Sequence, residues 1–393
     1  MSNSTFKSWY QSGSPWVWLN AGAVSISLIA VIGLVLLIAV RGLSHFWPAD
    51  IMSVEYNEPG LEPTVLIGER VDHEIVPAER VPSDYQLREG QISVERYLLK
   101  IGNRDQFGLD FRWVNKDWMG EVSYPEDILA IERREWGHFY GYLQSVVEQG
   151  EIVADGEQAW PEFQQRLERS NNLVAEIKYI EKIEIGKINQ ALESLRLDER
   201  RLELDNVPED NAAYAEIEAA KAVQNEKYAK LQTRLSELSQ ALIRDQVVMQ
   251  MSNGDEVVIP MAKIVDVVKP NDMNRFEKLQ HYFHEVWKFV SGEPREANTE
   301  GGIFPAIFGT VMMVLIMSVI VTPFGVIAAI YLKEYAKQGF VTRTIRIAVN
   351  NLAGVPSIVY GVFGLGFFVY FLGGNIDEIF FQAKLPSPTF GPF

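Results

Sequence analysis

Three polar residues and two prolines lie within apolar stretches of this sequence, where they could line a path for an ion. Asn350, Asn351 and Ser357 offer amide and hydroxyl donors, which suit an anion. Pro323 and Pro356 interrupt helical hydrogen bonding and free backbone groups, which inside a membrane must face protein or a water-lined cavity. We therefore predict a polar route through a membrane at these five residues, with close helix packing as the alternative.

Two arginines precede the asparagines. Arg343 and Arg346 are placed to attract an anion at the inner mouth of such a route. The preference of basic residues for the cytoplasmic side of a membrane explains the same residues without a role in transport. Both interpretations are open from the sequence.

A second candidate for ion binding lies within residues 272–291, which have the pattern of an amphipathic helix on the outer membrane surface. His281 and His284, followed by Glu285, are three residues apart and could meet one metal ion. A third ligand is not evident, and the His-Glu-x-x-His motif is absent. We therefore expect an interfacial or packing role for these residues and no metal site.

Motifs of enzymes are missing from the sequence. The chain has no cysteine, which excludes thiolate metal centres, iron–sulfur clusters and cysteine nucleophiles. It also lacks the glycine-rich P-loop that binds nucleotides and the Gly-x-Ser-x-Gly nucleophile elbow. We expect no catalytic residue and no cofactor, so the energy for any transport must come from other subunits.

Three charge-free stretches are each longer than the ~20 residues that span a bilayer. They are Ser8–Val40, Gly301–Leu332 and Ile347–Ile376. Trp9, Trp16, Trp18 and Trp47 lie near the two ends of the first span, as is typical of membrane interfaces, and no cleavage site of a signal peptide follows it. We expect an α-helical polytopic membrane protein with spans at residues 16–41, 302–332 and 347–372.

The linker between the second and third spans orients the chain. Residues 333–346 carry four basic side chains and one acidic one, and short basic loops stay in the cytoplasm. We therefore expect a cytoplasmic tail at residues 1–15, which contain Lys7, and periplasmic segments at 42–300 and 373–393.

The segment between the first two spans is acidic, with 49 acidic and 29 basic side chains in residues 49–300. Such a surface repels nucleic acid, which argues against DNA or RNA as a partner. Short apolar runs between proline, glycine and asparagine breaks predict a β-rich part at residues 50–135. Asn253-Gly254 between apolar runs predicts a β-hairpin, followed by a further strand, at residues 247–268.

Helical periodicity replaces this pattern at residues 158–246. Leucine and isoleucine recur at intervals of three and four, which is coiled-coil spacing. Pro208 separates two such runs, and Glu209 and Asp210 suit a helix start, so we predict a long antiparallel coiled-coil hairpin. It would serve as a spacer or dimerisation element, or it would capture a partner outside the membrane.

Two segments in the last two spans carry motifs of a known family. Thr322–Tyr335 contains Thr-Pro-x-Gly and Tyr-Leu-x-Glu-Tyr, and Asn350–Gly361 contains Val-Pro-Ser-Ile-Val. In this order and spacing they resemble the A-type membrane permease of the bacterial phosphate-specific ABC importer. The resemblance covers residues 301–372 and the first span. It implies the type I ABC importer permease fold, with residues 49–300 as an inserted extracytoplasmic α+β domain.

The resemblance also implies partners and a location. Such permeases lie in the bacterial inner membrane with a related C-type permease, two cytoplasmic ATPase subunits and a periplasmic phosphate-binding protein, and they import phosphate by alternating access. The cytoplasmic coupling loop of the family is not present, so we expect a chain that is incomplete at its C-terminus, with three of six spans. Phosphate and similar oxyanions are not distinguished.

Two other functions are consistent with parts of the sequence. The order of first span, β part, coiled-coil hairpin and returning strands is typical of a periplasmic adaptor anchored in the inner membrane, although that class normally has one span. An extracytoplasmic sensor or a channel with an outer ligand domain would have the same topology but would leave the family motifs unexplained.

Overall fold

The computed structural model describes residues 9–10, 12–80, 91–295, 300–352 and 354–391. They form two units, residues 1–167 with 246–307 and residues 168–245 with 308–393. The expected tail at residues 1–15, including Lys7, lies largely outside the described residues.

Three helices in the described part are long and apolar enough to cross a membrane. We call them the first span (Ser14–Ser44), the second span (Phe304–Tyr335) and the third span (Ser357–Phe380). Their side chains are almost all exposed, as expected of helices that meet lipid on every face. The third span begins at Ser357 rather than at the expected residue 347, because the preceding helix ends at Leu352.

Two antiparallel sheets form the β part of the first unit. The first sheet has the strand order β4-β3-β2-β1-β5. Its strands are β1 (Ile51–Tyr56), β2 (Thr64–Pro77), β3 (Ser93–Lys100), β4 (Phe111–Asn115) and β5 (Met119–Ser123). The second sheet has the order β10-β9-β7-β6-β11, with β8 paired to β7. Its strands are β6 (Ile128–Arg133), β7 (His138–Glu148), β8 (Glu151–Asp155), β9 (Asp245–Gln250), β10 (Glu256–Pro260) and β11 (Ile264–Val268).

Strands β7 and β8 lie beyond the predicted β-rich part, which ended at residue 135. Burial along β7 does not alternate, because both of its faces are partly covered, so the period-2 signal of a half-exposed strand is missing. Gly141 of β7 comes so close to β9 that a Cβ there would lie 2.6 Å from the carbonyl oxygen of Gln250. Glycine at this position therefore allows the two strands to pair.

Buried side chains and two asparagines join the sheets. Ile51 of the first sheet packs with Ile128 and Tyr140 of the second. Asn103 donates from Nδ2 to the carbonyl oxygen of Tyr140 at 3.0 Å and accepts from the Tyr140 N–H at 2.8 Å. Asn271 brackets the backbone of Ile51 in the same way, at 2.8 Å for both bonds. Each asparagine thus satisfies a backbone donor and acceptor where one sheet meets the other.

Two helical arms connect β8 to β9 in the chain. The first arm comprises Ala159–Tyr179 and Ile185–Leu204, joined by a π-helical turn, and the second arm is Ala212–Leu242. The ion pairs Glu176–Arg234 and Glu199–Lys221, both at 2.8 Å, cross between the arms. The arms are therefore antiparallel, while their winding as a coiled coil stays a prediction.

The two arms begin differently. The second arm starts after Asn211, whose Oδ1 accepts from the Ala213 N–H at 2.9 Å, and not at Glu209 or Asp210.

The base of the first arm belongs to the core of the second sheet. There Ala159 and Phe163 are fully buried in a cluster with Val247 and Met249.

A further helix precedes the second span. This membrane-proximal helix, Arg275–Ser291, starts with a capping box between Asn274 and Glu277. It ends beside the start of the second span, where the Ile303 N–H donates to the carbonyl oxygen of Phe289 at 2.8 Å.

Candidate functional site

The second span continues through Pro323 without a break. Its α-helical part, Phe304–Ile330, contains Pro323 in the interior, and the span ends in a π-helical turn at Tyr331–Tyr335. Proline in a membrane helix removes one backbone hydrogen bond, which neighbouring groups can replace. The helix interruption expected at Pro323 is therefore absent.

A short amphipathic helix, Phe340–Leu352, lies between the second and third spans, and we call it the linker helix. Arg343, Arg346 and Asn350 follow one another at intervals of three and four, so they share one stripe of this helix. Arg346 Nη2 donates to the carbonyl oxygen of Leu332 at 2.6 Å, near the end of the second span, where helix carbonyls lack partners. Both arginines are exposed, and Arg346 caps a helix end through this bond.

The helical structure is interrupted between the linker helix and the third span. Pro356 occupies the N-cap position of the third span, where its ring cannot supply a side-chain acceptor. The Tyr360 hydroxyl donates to the carbonyl oxygen of Leu352 at 2.9 Å and so connects the two sides of the break. The hydrogen bond therefore holds the end of the linker helix near the first turn of the third span.

The predicted lining residues fall into two groups. Asn350 and Asn351 end the linker helix, while Pro356 and Ser357 start the third span, so these four flank the same break and are all exposed. Pro323 belongs to the preceding helix. Four of the five candidates thus cluster along the chain at one break, and their role in transport remains a prediction.

The segment after the third span folds back onto its end. Asp377 is buried and accepts from the backbone N–H groups of Phe390 (2.8 Å) and Gly391 (2.6 Å). Gly373 lies so close to this turn that a Cβ there would be 2.3 Å from the carbonyl oxygen of Phe390. Sequence reasoning missed this contact, because aspartate and glycine are common at helix ends whether or not a chain returns to them.

Three potential metal ligands meet beside the membrane-proximal helix. Asp266 of β11 joins His281 and Glu285 of the helix, and their ligand atoms lie within 4.8 Å of one another. A third ligand was not evident from the sequence, because Asp266 is on a separate strand. His284, the other histidine considered there, is exposed and outside this group.

A lysine already supplies a cation to these carboxylates. Lys288 Nζ lies 2.6 Å from Glu285, 3.8 Å from Asp266 and 2.6 Å from Glu132. Glu132 also pairs with Arg295. Burial raises the pKa of Glu132, but Lys288 and Arg295 outweigh this effect and hold the pKa at about 2. The geometry is thus that of an ion-pair network, in which burial lowers the pKa of His281.

A groove of about 440 Å³ opens between the two arms near their turn. Its lining mixes leucine and isoleucine with acidic and basic side chains, including Leu195, Asp198, Arg201 and Ile217. Four of its seven lining residues are apolar and three are charged.

Comparison with known proteins connects part of this chain to one kind of transporter. Over 73 residues it is 37% identical to phosphate transport system permease protein PstA 1 of Mycobacterium tuberculosis, covering 19% of this chain and 23% of the relative. Over 64 residues it is 38% identical to the PstA permease of Pasteurella multocida, covering 16% of this chain and 23% of the relative. The PstA permease of Yersinia pestis is 36% identical over 75 residues, which cover 19% of this chain and 25% of the relative.

These matches are local. The chain covers about a quarter of the length of each of these three relatives. No protein-family model matches it, and no solved structure does. The resemblance expected from the motifs is confirmed at this extent: a part of this chain is similar to PstA-type phosphate permeases. The chain as a whole has three apolar helices long enough to span a membrane.

Proposed function

We propose that this chain is a membrane permease subunit of an ATP-driven importer of inorganic phosphate. The observation that carries the proposal is the local identity of 36–38% to phosphate permeases, in a chain with three candidate membrane spans. The adaptor alternative is not favoured, because that class normally has one span. Transport by this subunit would use ATP hydrolysed by separate ATPase subunits.

The break before the third span is the proposed part of the translocation route. Asn350, Asn351 and Ser357 place amide and hydroxyl groups at a discontinuity, where an anion can be bound by donors without a fixed positive charge that would trap it. Pro356 keeps the two helices from merging into one. Arg343 is the proposed basic residue of the inner mouth, because Arg346 is engaged with the end of the second span.

The proposed topology follows from the basic linker. Lys333, Lys337, Arg343 and Arg346 would keep residues 333–346 in the cytoplasm, and the β part with its arms would then be periplasmic. The partners of the complex would be a C-type permease, two cytoplasmic ATPases and a periplasmic phosphate-binding protein. In this arrangement the arms and the groove near their turn are the proposed contact for the binding protein or for the cell envelope.

The test is uptake of radioactive phosphate by cells that lack the gene for this chain. Deletion is expected to abolish high-affinity uptake at micromolar phosphate, and expression from a plasmid is expected to restore it. Unlabelled sulfate, as a matched competitor, should not reduce the restored uptake, whereas unlabelled phosphate should. Phosphate uptake that is unchanged by the deletion would overturn the proposed function, and competition by sulfate would change the substrate class.

A further inference from the structure

The membrane-proximal helix turns its polar side, not its apolar side, towards the β part of the first unit. Lys278, His281, Glu285 and Lys288 recur at intervals of three and four and are half-buried. Lys278 pairs with Asp50, just before β1. Lys288 pairs with Glu132 of β6 at 2.6 Å. Ion pairs and hydrogen bonds therefore hold the helix on the β part through its polar stripe.

The opposite stripe of the helix is apolar and has no cover within the described residues. Phe276, Phe283 and Trp287 are 74%, 62% and 69% exposed. Leu279 and Val290 extend the same stripe and are 43% and 41% exposed. A helix of a water-soluble domain normally buries such a stripe in its core. This helix instead presents it outward over its whole length, which indicates an apolar surrounding on that side.

The end of the first span and the start of the second span both contact this helix. Trp47, which follows the first span, lies 6.1 Å from Tyr282, measured between ring centroids. Phe46 lies 5.0 Å from Phe289 in the same way. At the other end, the Phe304 N–H, where the second span begins, donates to the carbonyl oxygen of Gly292 at 3.1 Å. The helix is thus held at the level where two apolar spans leave or enter the bilayer.

We propose that the membrane-proximal helix lies in the lipid interface, with Phe276, Phe283 and Trp287 inserted at the boundary of headgroups and acyl chains. Continuity with the two spans selects lipid as the occupant, because the depth of the helix is fixed by residues that adjoin the spans. Tryptophan and phenylalanine on one face, with charged residues on the other, match helices that bind in the plane of a membrane. In most such helices the polar stripe faces water, whereas here it packs on the β part through ion pairs. This inference rests on the membrane spans and not on the transported substrate.

The absence of native cysteine permits a direct test in the full chain. Phe283→Cys is labelled with bimane and reconstituted into vesicles of phosphatidylethanolamine and phosphatidylglycerol that contain acyl-chain spin-labelled phosphatidylcholine. Two matched variants are His284→Cys, an exposed flank position of the same helix, and Glu151→Cys, an exposed position at the start of β8. Spin-labelled lipid is expected to quench the label at residue 283 several-fold more than at 284, and not at 151, while iodide gives the reverse order.

Two outcomes would overturn the proposal. Iodide quenching at residue 283 equal to that at 151, without lipid quenching, would place the apolar stripe in water. Protection of residue 283 from both quenchers would place protein there, either a second copy of this chain or another subunit. Trp287→Cys, labelled and measured in parallel, must give the same result as Phe283→Cys. Because both side chains are mostly exposed, neither change creates a cavity.

Discussion

The ring of Phe46, directly after the first span, lies 5.0 Å from the ring of Phe289 in the membrane-proximal helix, measured between centroids. The backbone carbonyl of Phe289 also accepts from the Ile303 N–H at 2.8 Å, next to the second span. One residue therefore connects the end of the first span to the start of the second, although more than 250 residues of sequence separate them.

Energetic coupling between Phe46 and Phe289 is the first prediction. Phe46→Ala and Phe289→Ala should each lower the free energy of unfolding, and the double variant should lose less than the sum, because both changes remove the same ring contact. Such aromatic pairs contribute about 0.5–1.5 kcal/mol beyond the area that they bury. Urea unfolding in detergent micelles measures the coupling. Phe276→Ala combined with Phe46→Ala is the control and should be additive; an additive Phe46/Phe289 pair would contradict the contact.

Acid sensitivity should depend on His138. Burial, together with the neighbouring charge of Lys100, lowers the pKa of His138 from 6.5 to about 3, and Lys100 Nζ lies 2.9 Å from Nδ1. In the unfolded chain His138 is protonated as the pH falls below about 6.5, whereas in the folded chain it stays neutral until about pH 3. The free energy of unfolding should therefore fall as the pH drops from 6.5 towards 3.

The variant His138→Gln removes this titration. Urea unfolding of His138→Gln at pH 7.5 and pH 4.5 should show a smaller loss of stability than the wild type over the same interval. His284→Gln is the matched control, since His284 is exposed, and should retain the wild-type loss. An unchanged pH dependence in His138→Gln would assign the acid sensitivity to other groups.

Zinc binding should appear only when Lys288 is removed. Its ammonium group lies between carboxylates that, with His281, have the types and spacing of zinc ligands. Lys288→Met leaves Asp266 and Glu285 without this cation, so titration calorimetry should detect one zinc ion per chain in the variant and no saturable binding in the wild type. Adding His281→Ala to Lys288→Met should abolish the binding. Equal affinity of wild type and variant would show that Lys288 does not control the group.

Shortening the arms should leave the β part folded as long as the residues at the base of each arm are kept. Residues 177–233 can be replaced by a short Gly-Ser loop, because Glu176 and Arg234 are paired at 2.8 Å across the arms. This variant should keep the protease resistance of the sheets. Deletion of residues 158–248 should abolish it, since it removes Phe163 and Val247 from the core. Equal resistance of the two variants would mean that the arm bases do not stabilise the second sheet.

Substitutions at the break should separate transport from stability. Asn350→Ala and Ser357→Ala should lower phosphate uptake several-fold while the amount of protein in the membrane stays the same. Arg346→Ala should lower that amount, because its bond to the Leu332 carbonyl is lost. Asn253→Ala, in a turn of the β part, is the control for uptake. Normal uptake by both Asn350→Ala and Ser357→Ala would remove these residues from the proposed route.

The features predicted best from sequence are those set by local composition. Three charge-free stretches are enough to predict three spans, and the proline at 356 predicts a break, because both follow from a few adjacent residues. The start of the third span was misplaced, since charge alone does not distinguish the uncharged end of the linker helix from the span that follows.

Features that depend on distant residues were not predictable in this way. Asp266 reaches His281 from a separate strand, and Asn103 reaches the backbone of Tyr140 from the loop after β3. Strand β7 was missed because it is covered on both faces, which removes the alternation that marks a strand. The helix break predicted at Pro323 was wrong for a local reason, because a proline can remain inside a continuous membrane helix.

The strand order of the second sheet affects how this protein is made. Strand β9 (Asp245–Gln250) fills the place between β7 and β10, yet it is synthesised only after both arms. Until then β7 has an open edge, while the arms can already form their local helices. Ribosomes that stall within the arms should therefore hold a β part with an unpaired strand, the state most exposed to aggregation and to proteolysis.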